Sequence, residues 1–143
     1  MNYEIKSATE NDIPRLIDYE LKTIFEYSGK LTEQEKIEIN TYVKNQVITK
    51  LENYKIVFND NNKIGCLLIT NNDDSISLDE IYLEKDYRNK GIGTKIIKKL
   101  ISENKSVYLW VYKLNEKAIS LYKKLGFEII DETENRYYMK YNR

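Results

Sequence analysis

Apolar positions along this 143-residue chain change period from segment to segment, and the changes mark its elements. Residues 3–8 alternate as a strand, and Thr9 stands where the next helix needs an N-cap. Ile13, Leu16, Ile17, Leu21, Ile24 and Phe25 then recur at helical spacing, with Pro14 in the first turn, until Ser28-Gly29-Lys30 breaks the pattern. Thr32 and Glu35 have the spacing of a capping box and open a second helix, reaching to about Leu51. Residues 54–59, 63–70 and 76–83 read as three strands, separated by the turn clusters Asp60-Asn61-Asn62 and Asn71-Asn72-Asp73-Asp74. A glycine-containing turn leads into a helix that buries Ile92, Ile96, Ile97, Leu100 and Ile101 on one face. Residues 107–112 are apolar on both faces, as in a central strand. A helix over 115–125 ends at Gly126, and residues 127–130 and 136–141 form a last hairpin. The order β-α-α-β-β-β-α-β-α-β-β, with no linker or repeat, predicts one α/β (α+β) domain over 1–143 built on a single mixed sheet.

Composition narrows the chemistry. An apolar content of 41% and a charged content of 32% describe a soluble globule, and 23 basic residues balance 23 acidic ones. That balance argues against a nucleic-acid or membrane surface as partner. No apolar run approaches the ~20 residues of a membrane span, and the N-terminus lacks a secretion-signal pattern. Cys66 is the only cysteine and lies in an apolar run, which suits a small core residue in a reducing, cytoplasmic setting. The chain has no histidine. Histidine-based triads, histidine metal sites and a histidine general base are thereby excluded, and no metal site is expected. Charge is nonetheless uneven. Residues 85–124 carry eleven basic against three acidic side chains, and residues 10–38 carry eight acidic against four basic. The first stretch suits an anionic ligand and the second a cationic one.

The basic stretch contains Arg88-Asn89-Lys90-Gly91-Ile92-Gly93-Thr94, opening a helix after a strand. Such a turn leaves several N–H groups without intrahelical partners, and with the helix dipole they form a phosphate site. Neither the Walker spacing nor G-x-G-x-x-G is present. Taken alone, the loop specifies a phosphate-bearing ligand and no more.

A second segment lies downstream: Asn115, Ala118, Leu121, Tyr122, Gly126 and Phe127, in the pattern Asn-x-x-Ala-x-x-Leu-Tyr-x-x-x-Gly-Phe. The two motifs together, in this order and on these elements, resemble the GNAT family of N-acetyltransferases, whose pyrophosphate loop reads Gln/Arg-x-x-Gly-x-Gly/Ala. The resemblance covers nearly the whole chain. It implies a mostly antiparallel sheet with helices on both faces, the fourth and fifth strands splaying into a V that holds acetyl-coenzyme A. It also implies site residues. Ile81, Tyr82 and Leu83 would present backbone to the pantetheine arm. Arg88, Asn89, Lys90, Gly91, Ile92, Gly93 and Thr94 would hold the pyrophosphate through N–H groups, and Asn115 would contact the cofactor. Tyr122 would stand near the thioester sulfur as general acid, although its place on a helix stripe also suits a core tyrosine. The glutamate that some relatives use as base is replaced by Trp110. Other members carry an acid at the position of Asp79, which becomes the expected base.

By period-two alternation Asp79 shares a face with Ile81 and Leu83, and Glu80 points to the other, toward the acceptor. Glu20, on the apolar stripe of the first helix, and Tyr27, with Glu26 nearby, are candidates to receive a cationic amine. The expected reaction is acetyl transfer from acetyl-coenzyme A to a primary amine, by direct attack in a ternary complex, since no activated nucleophile is evident. The acceptor expected is a cationic small molecule; a protein N-terminus or lysine is the next reading. A non-catalytic acyl-coenzyme A binding module is the alternative from another class. Similar proteins commonly form homodimers.

Overall fold

A computed structural model describes residues 2–142. Its strands are β1 (Glu4–Ser7), β2 (Tyr54–Asn59), β3 (Asn62–Asn72), β4 (Ser75–Leu83), β5 (Ser106–Tyr112), β6 (Glu128–Glu132) and β7 (Arg136–Asn142). The helices are α1 (Ile13–Tyr27), α2 (Glu33–Thr49), α3 (Ile92–Glu103) and α4 (Glu116–Lys124). One seven-stranded sheet runs in the order β1-β2-β3-β4-β5-β7-β6, and only the β4–β5 pair is parallel. The local signals account for most boundaries. Thr32 accepts from the Glu35 N–H at 3.1 Å while Glu35 accepts from the Thr32 N–H at 2.9 Å, closing the capping box of α2. Asp60 and Asn61 both take positive φ (49° and 74°), which suits the twist of the tight β2–β3 hairpin.

Two apolar clusters sandwich the sheet. On one face α3 and α4 pack Ile92, Ile96, Ile97 and Tyr122 over Leu67, Leu78, Val107, Leu109 and Met139. On the other, α1 and α2 pack Leu16, Tyr19, Val43 and Val47 over Tyr54, Ile56, Cys66, Leu68 and Tyr82. This second layer reaches only as far as β4. Residues 107–112 therefore alternate instead of being buried on both faces: Val107, Leu109 and Val111 are buried, whereas Tyr108, Trp110 and Tyr112 are half-buried. The stripe of α1 also differs from its sequence reading. Leu16, Tyr19 and Glu20 are its buried residues and Phe25 is 41% exposed. Tyr19 takes the inner position because its ring stacks on Tyr82 at 4.7 Å and its hydroxyl donates to Glu84 at 2.5 Å.

The pairing of β4 is interrupted on both sides near its middle. β4 and β5 pair only from Ser75↔Ser106 to Leu78↔Leu109, so the strands part beyond Leu78 and leave a V-shaped gap. A bulge in the β3–β4 ladder falls at the same place: Leu68 pairs with Glu80 and Ile69 with Leu78, leaving Asp79 as the extra residue.

Candidate active site

The gap between β4 and β5 is a cleft of about 630 Å³. One wall is the free edge of β4. The Glu84 N–H donates to the Ile64 carbonyl at 2.8 Å, so by antiparallel alternation Tyr82 and Glu80 bond to β3, and the peptide groups of Ile81 and Leu83 face the gap. Arg88 Nε already donates to the Leu83 carbonyl at 2.7 Å. The N–H and carbonyl of Ile81 and the N–H of Leu83 remain for an extended ligand. Tyr82 contributes differently: its side chain is buried beneath α1, between Tyr19 and the Arg88 guanidinium.

The far end of the cleft is the N-terminus of α3. Gly91 caps it with φ of 87°, a left-handed conformation that glycine adopts without strain, and Asn89 is likewise positive at 61°. A Cβ on Gly91 would meet nothing within 4 Å, so the open space in front of the first turn is real and the glycine is required by its φ. Asn89, Gly91, Gly93 and Thr94 line the cleft, with Lys117 and Lys124 of α4 opposite. Ile92 is 1% exposed and belongs to the core, so only its N–H is on offer, and Lys90 does not line the cavity. The Arg88 side chain is turned back, pairing with Glu26 at 3.3 Å, which ties α1 to this loop. Glu26 is thus engaged by Arg88 and is not free for an amine.

Asn115 and Tyr122 enter from α4. The Asn115 side-chain oxygen caps the helix by accepting from the Ala118 N–H at 3.2 Å, which leaves its amide nitrogen for the cleft it lines. Tyr122 is 6% exposed, its ring tilted against Phe127 at 5.9 Å. Among the described residues its hydroxyl has no hydrogen-bond partner, and it lines the cleft. Burial, with a smaller contribution from the Tyr27 phenol, pushes its pKa up to about 12. The phenol therefore stays protonated at neutral pH and keeps a proton to donate.

Beneath α1 a second cavity of about 750 Å³ opens on the other face of the sheet. Thr23 and Tyr27 of α1 face the first cavity, and Glu20, Ile24 and Ser28 the second. Asp79, Glu80, Trp110, Tyr112 and Arg136 line both, so the two cavities meet at the bulge. Here the sequence expectation for Asp79 is corrected. The extra bulge residue resets the alternation, so Asp79 lies on the same face as Glu80 and opposite Ile81 and Leu83. Asp79 accepts from the Thr70 and Ser77 hydroxyls, each at 2.7 Å. Glu80 is half-buried, and its carboxylate makes no side-chain hydrogen bond among the described residues. Burial, then the negative charge of Glu20, raise its pKa well above the ordinary carboxylate value, against the opposing pull of Arg136.

Glu20, an acid on an otherwise apolar stripe, is 2% exposed and accepts from Tyr54 Oη at 2.8 Å and from Gln46 Nε2 at 3.3 Å. Burial lifts its pKa to about 7, partly offset by the Tyr54 hydrogen bond. Tyr27 stacks on Tyr112 at 6.2 Å, roofing the junction. Sequence reasoning does not single out Gln46, Tyr54, Tyr112 or Arg136. Tyr112 falls in a run that reads as apolar on both faces; Arg136 carries no local signal, because only strand pairing brings β7 against β5 (Tyr112↔Arg136).

A stability test of this acidic pair comes from the signs. An unfolded glutamate ionises near 4.5, whereas folded Glu20 holds its proton to about 7. The native state binds more protons in that window, so stability falls as pH rises from about 4.5 to 7, by on the order of 2 to 3 kcal/mol. Urea denaturation of the ligand-free protein at several pH values measures it, and Glu20→Gln flattens the slope.

A family model described as "Acetyltransferase (GNAT) family" matches residues 19–127. The chain belongs to this acetyltransferase (GNAT) family. Thialysine N-epsilon-acetyltransferase of Mus musculus is 43% identical over 65 residues, 42% of this chain and 38% of that protein. A probable spermine N(1)-acetyltransferase of Bacillus subtilis subsp. natto is 33% identical over 70 residues, 45% of this chain and 46% of the relative. The matched stretches thus span less than half the length of these curated relatives. Among solved structures, the PaiA N-acetyltransferase of Thermoplasma acidophilum in complex with coenzyme A superposes with a TM-score of 0.75 over 100% of both chains, at 22% identity. That likeness is one of fold. Among the described residues no helix is long and apolar enough to cross a membrane.

Proposed function

We propose that the protein moves an acetyl group from acetyl-coenzyme A to a primary amine of a small cationic molecule, within a ternary complex. The observation that carries this reading is the meeting of the two cavities at Asp79, Glu80, Trp110, Tyr112 and Arg136. A donor held along β4 and an acceptor held beneath α1 would touch there and nowhere else. The donor side fits coenzyme A: a free strand edge for an amide-bearing arm, and a helix N-terminus flanked by lysines for its phosphates. Coenzyme A bound to the Thermoplasma relative agrees with this. On the acceptor side Glu20 and Glu80 form no ion pair among the described residues, which favours an incoming ammonium, as do relatives named for thialysine and spermine.

In the proposed reaction Glu80 takes a proton from the acceptor ammonium, directly or through water, and passes it to solvent. The freed nitrogen attacks the thioester carbonyl carbon; a C–N bond forms and the C–S bond breaks. Ile81 and Leu83 hold the arm in line. Tyr122 donates a hydrogen bond to the departing sulfur, which leaves as the thiol once it has gained the second proton released by the nitrogen. Asp79, fixed by Thr70 and Ser77, holds the bulge in shape and keeps a negative charge beside Glu80.

The test is free-thiol release from acetyl-coenzyme A with a panel of amines: diamines, polyamines, diamino acids, monoamines and a lysine-containing peptide. Acetyl transfer predicts release with the small cationic members and little with the neutral or peptide ones. Tight coenzyme A binding without release for any amine would instead indicate a non-catalytic acyl-coenzyme A module.

A further inference from the structure

An ammonium-receiving pocket has no need of Arg136, and the way this residue is held points to a second charge on the acceptor. Arg136 opens β7 and lines both cavities at their junction. Its guanidinium lies over the Trp110 ring, 4.7 Å from the centroid, and 5.8 Å from that of Tyr112. Among the described residues it makes no ion pair and no side-chain hydrogen bond. The other arginines among the described residues behave differently: Arg15 pairs with Glu84 and Arg88 with Glu26. A guanidinium present only to neutralise Glu20 and Glu80 would reach one of them, since a bidentate carboxylate pair is its strongest contact. Aromatic stacking instead fixes its plane and leaves its five donors unspent.

The anion that uses those donors does not come from the donor molecule. Its phosphates are assigned to the α3 end of the cleft, and the pantetheine arm is uncharged. We infer that the acceptor is a zwitterionic amine, an aliphatic diamino acid in which ammonium groups meet Glu20 and Glu80 while the carboxylate sits on Arg136. This rests on the acetyl-transfer reading and selects within it. Glu20, Glu80 and Arg136 offer partners for two ammonium groups and one carboxylate, whereas a plain diamine would engage the two acids and leave Arg136 without an anion.

The experiment compares each diamino acid with its decarboxylated counterpart: ornithine with putrescine, and lysine with cadaverine. Thiol release gives kcat/KM for the wild type, Arg136→Gln and Arg136→Lys. The expected wild-type preference is about 10- to 100-fold for the amino acid, the range of a charged hydrogen-bonded contact. In Arg136→Gln that advantage disappears, with opposite signs for the two substrates: turnover of the amino acid falls and that of the diamine rises, because a positive charge has left the pocket. Arg136→Lys restores part of the preference. Equal losses on both members of a pair, or a wild type that prefers the diamine, would overturn the inference. Calorimetric titration of lysine and cadaverine into protein saturated with coenzyme A gives the same comparison without turnover, lysine binding more tightly. Absence of thiol release with every amine strikes the acetyl-transfer reading, while the titration still decides the charge pattern.

Discussion

Tyr122→Phe lowers kcat by about two to three orders of magnitude, the range for losing a positioned proton donor. Its KM for acetyl-coenzyme A changes little. The substitution removes one oxygen from a ring that is 6% exposed and keeps the ring's contact with Phe127. Because the hydroxyl has no partner among the described residues, its loss orphans no other group, and the unfolding free energy stays within about 1 kcal/mol of wild type. The direction of the pKa shift refines the role. A thiol ionises near ~8.5, and the Tyr122 phenol near about 12. Full transfer to a departing thiolate runs uphill, so in the proposed reaction the residue acts chiefly by hydrogen-bonding the sulfur as charge builds there. Single-turnover rates separate chemistry from release; an unchanged rate with the fold intact returns Tyr122 to a packing role.

Glu80→Gln lowers kcat/KM by about 100-fold and removes the acid limb of its pH profile. The sign is set by the raised pKa. Below it Glu80 is neutral and cannot take a proton, so activity climbs as pH rises through a value well above the ordinary 4.5. Glu20 and Asp79 both raise that pKa by their negative charge. Glu20→Gln and Asp79→Asn therefore move the limb to lower pH while keeping it, and only Glu80→Gln abolishes it. A limb that survives in Glu80→Gln and vanishes in Asp79→Asn would transfer the base role to Asp79.

The contrast between these two acids shows where local rules reach their limit. Alternation along a strand is such a rule, and it puts Ile81 and Leu83 on one face, where the structure has them. It fails at Asp79 because a bulge is a property of two strands: the register slip between Leu68 and Ile69 inserts one residue and reverses the faces before it. Glu20 is a similar case. Its spacing identifies an acid on an apolar helix face, but only the approach of Tyr54 from β2 and Gln46 from α2 explains how it is buried. Arg136 has nothing in its neighbourhood along the chain to mark it.

The sequence by itself determined the elements, the glycine turn that opens α3 and the family, since helix caps, glycine φ and apolar period act over a few residues. Tertiary structure alone decided which acid is free, how α1 divides two cavities, and why they meet at Glu80. Those outcomes depend on strand register and on an α1/α2 layer that ends at β4, and no short window of residues encodes either.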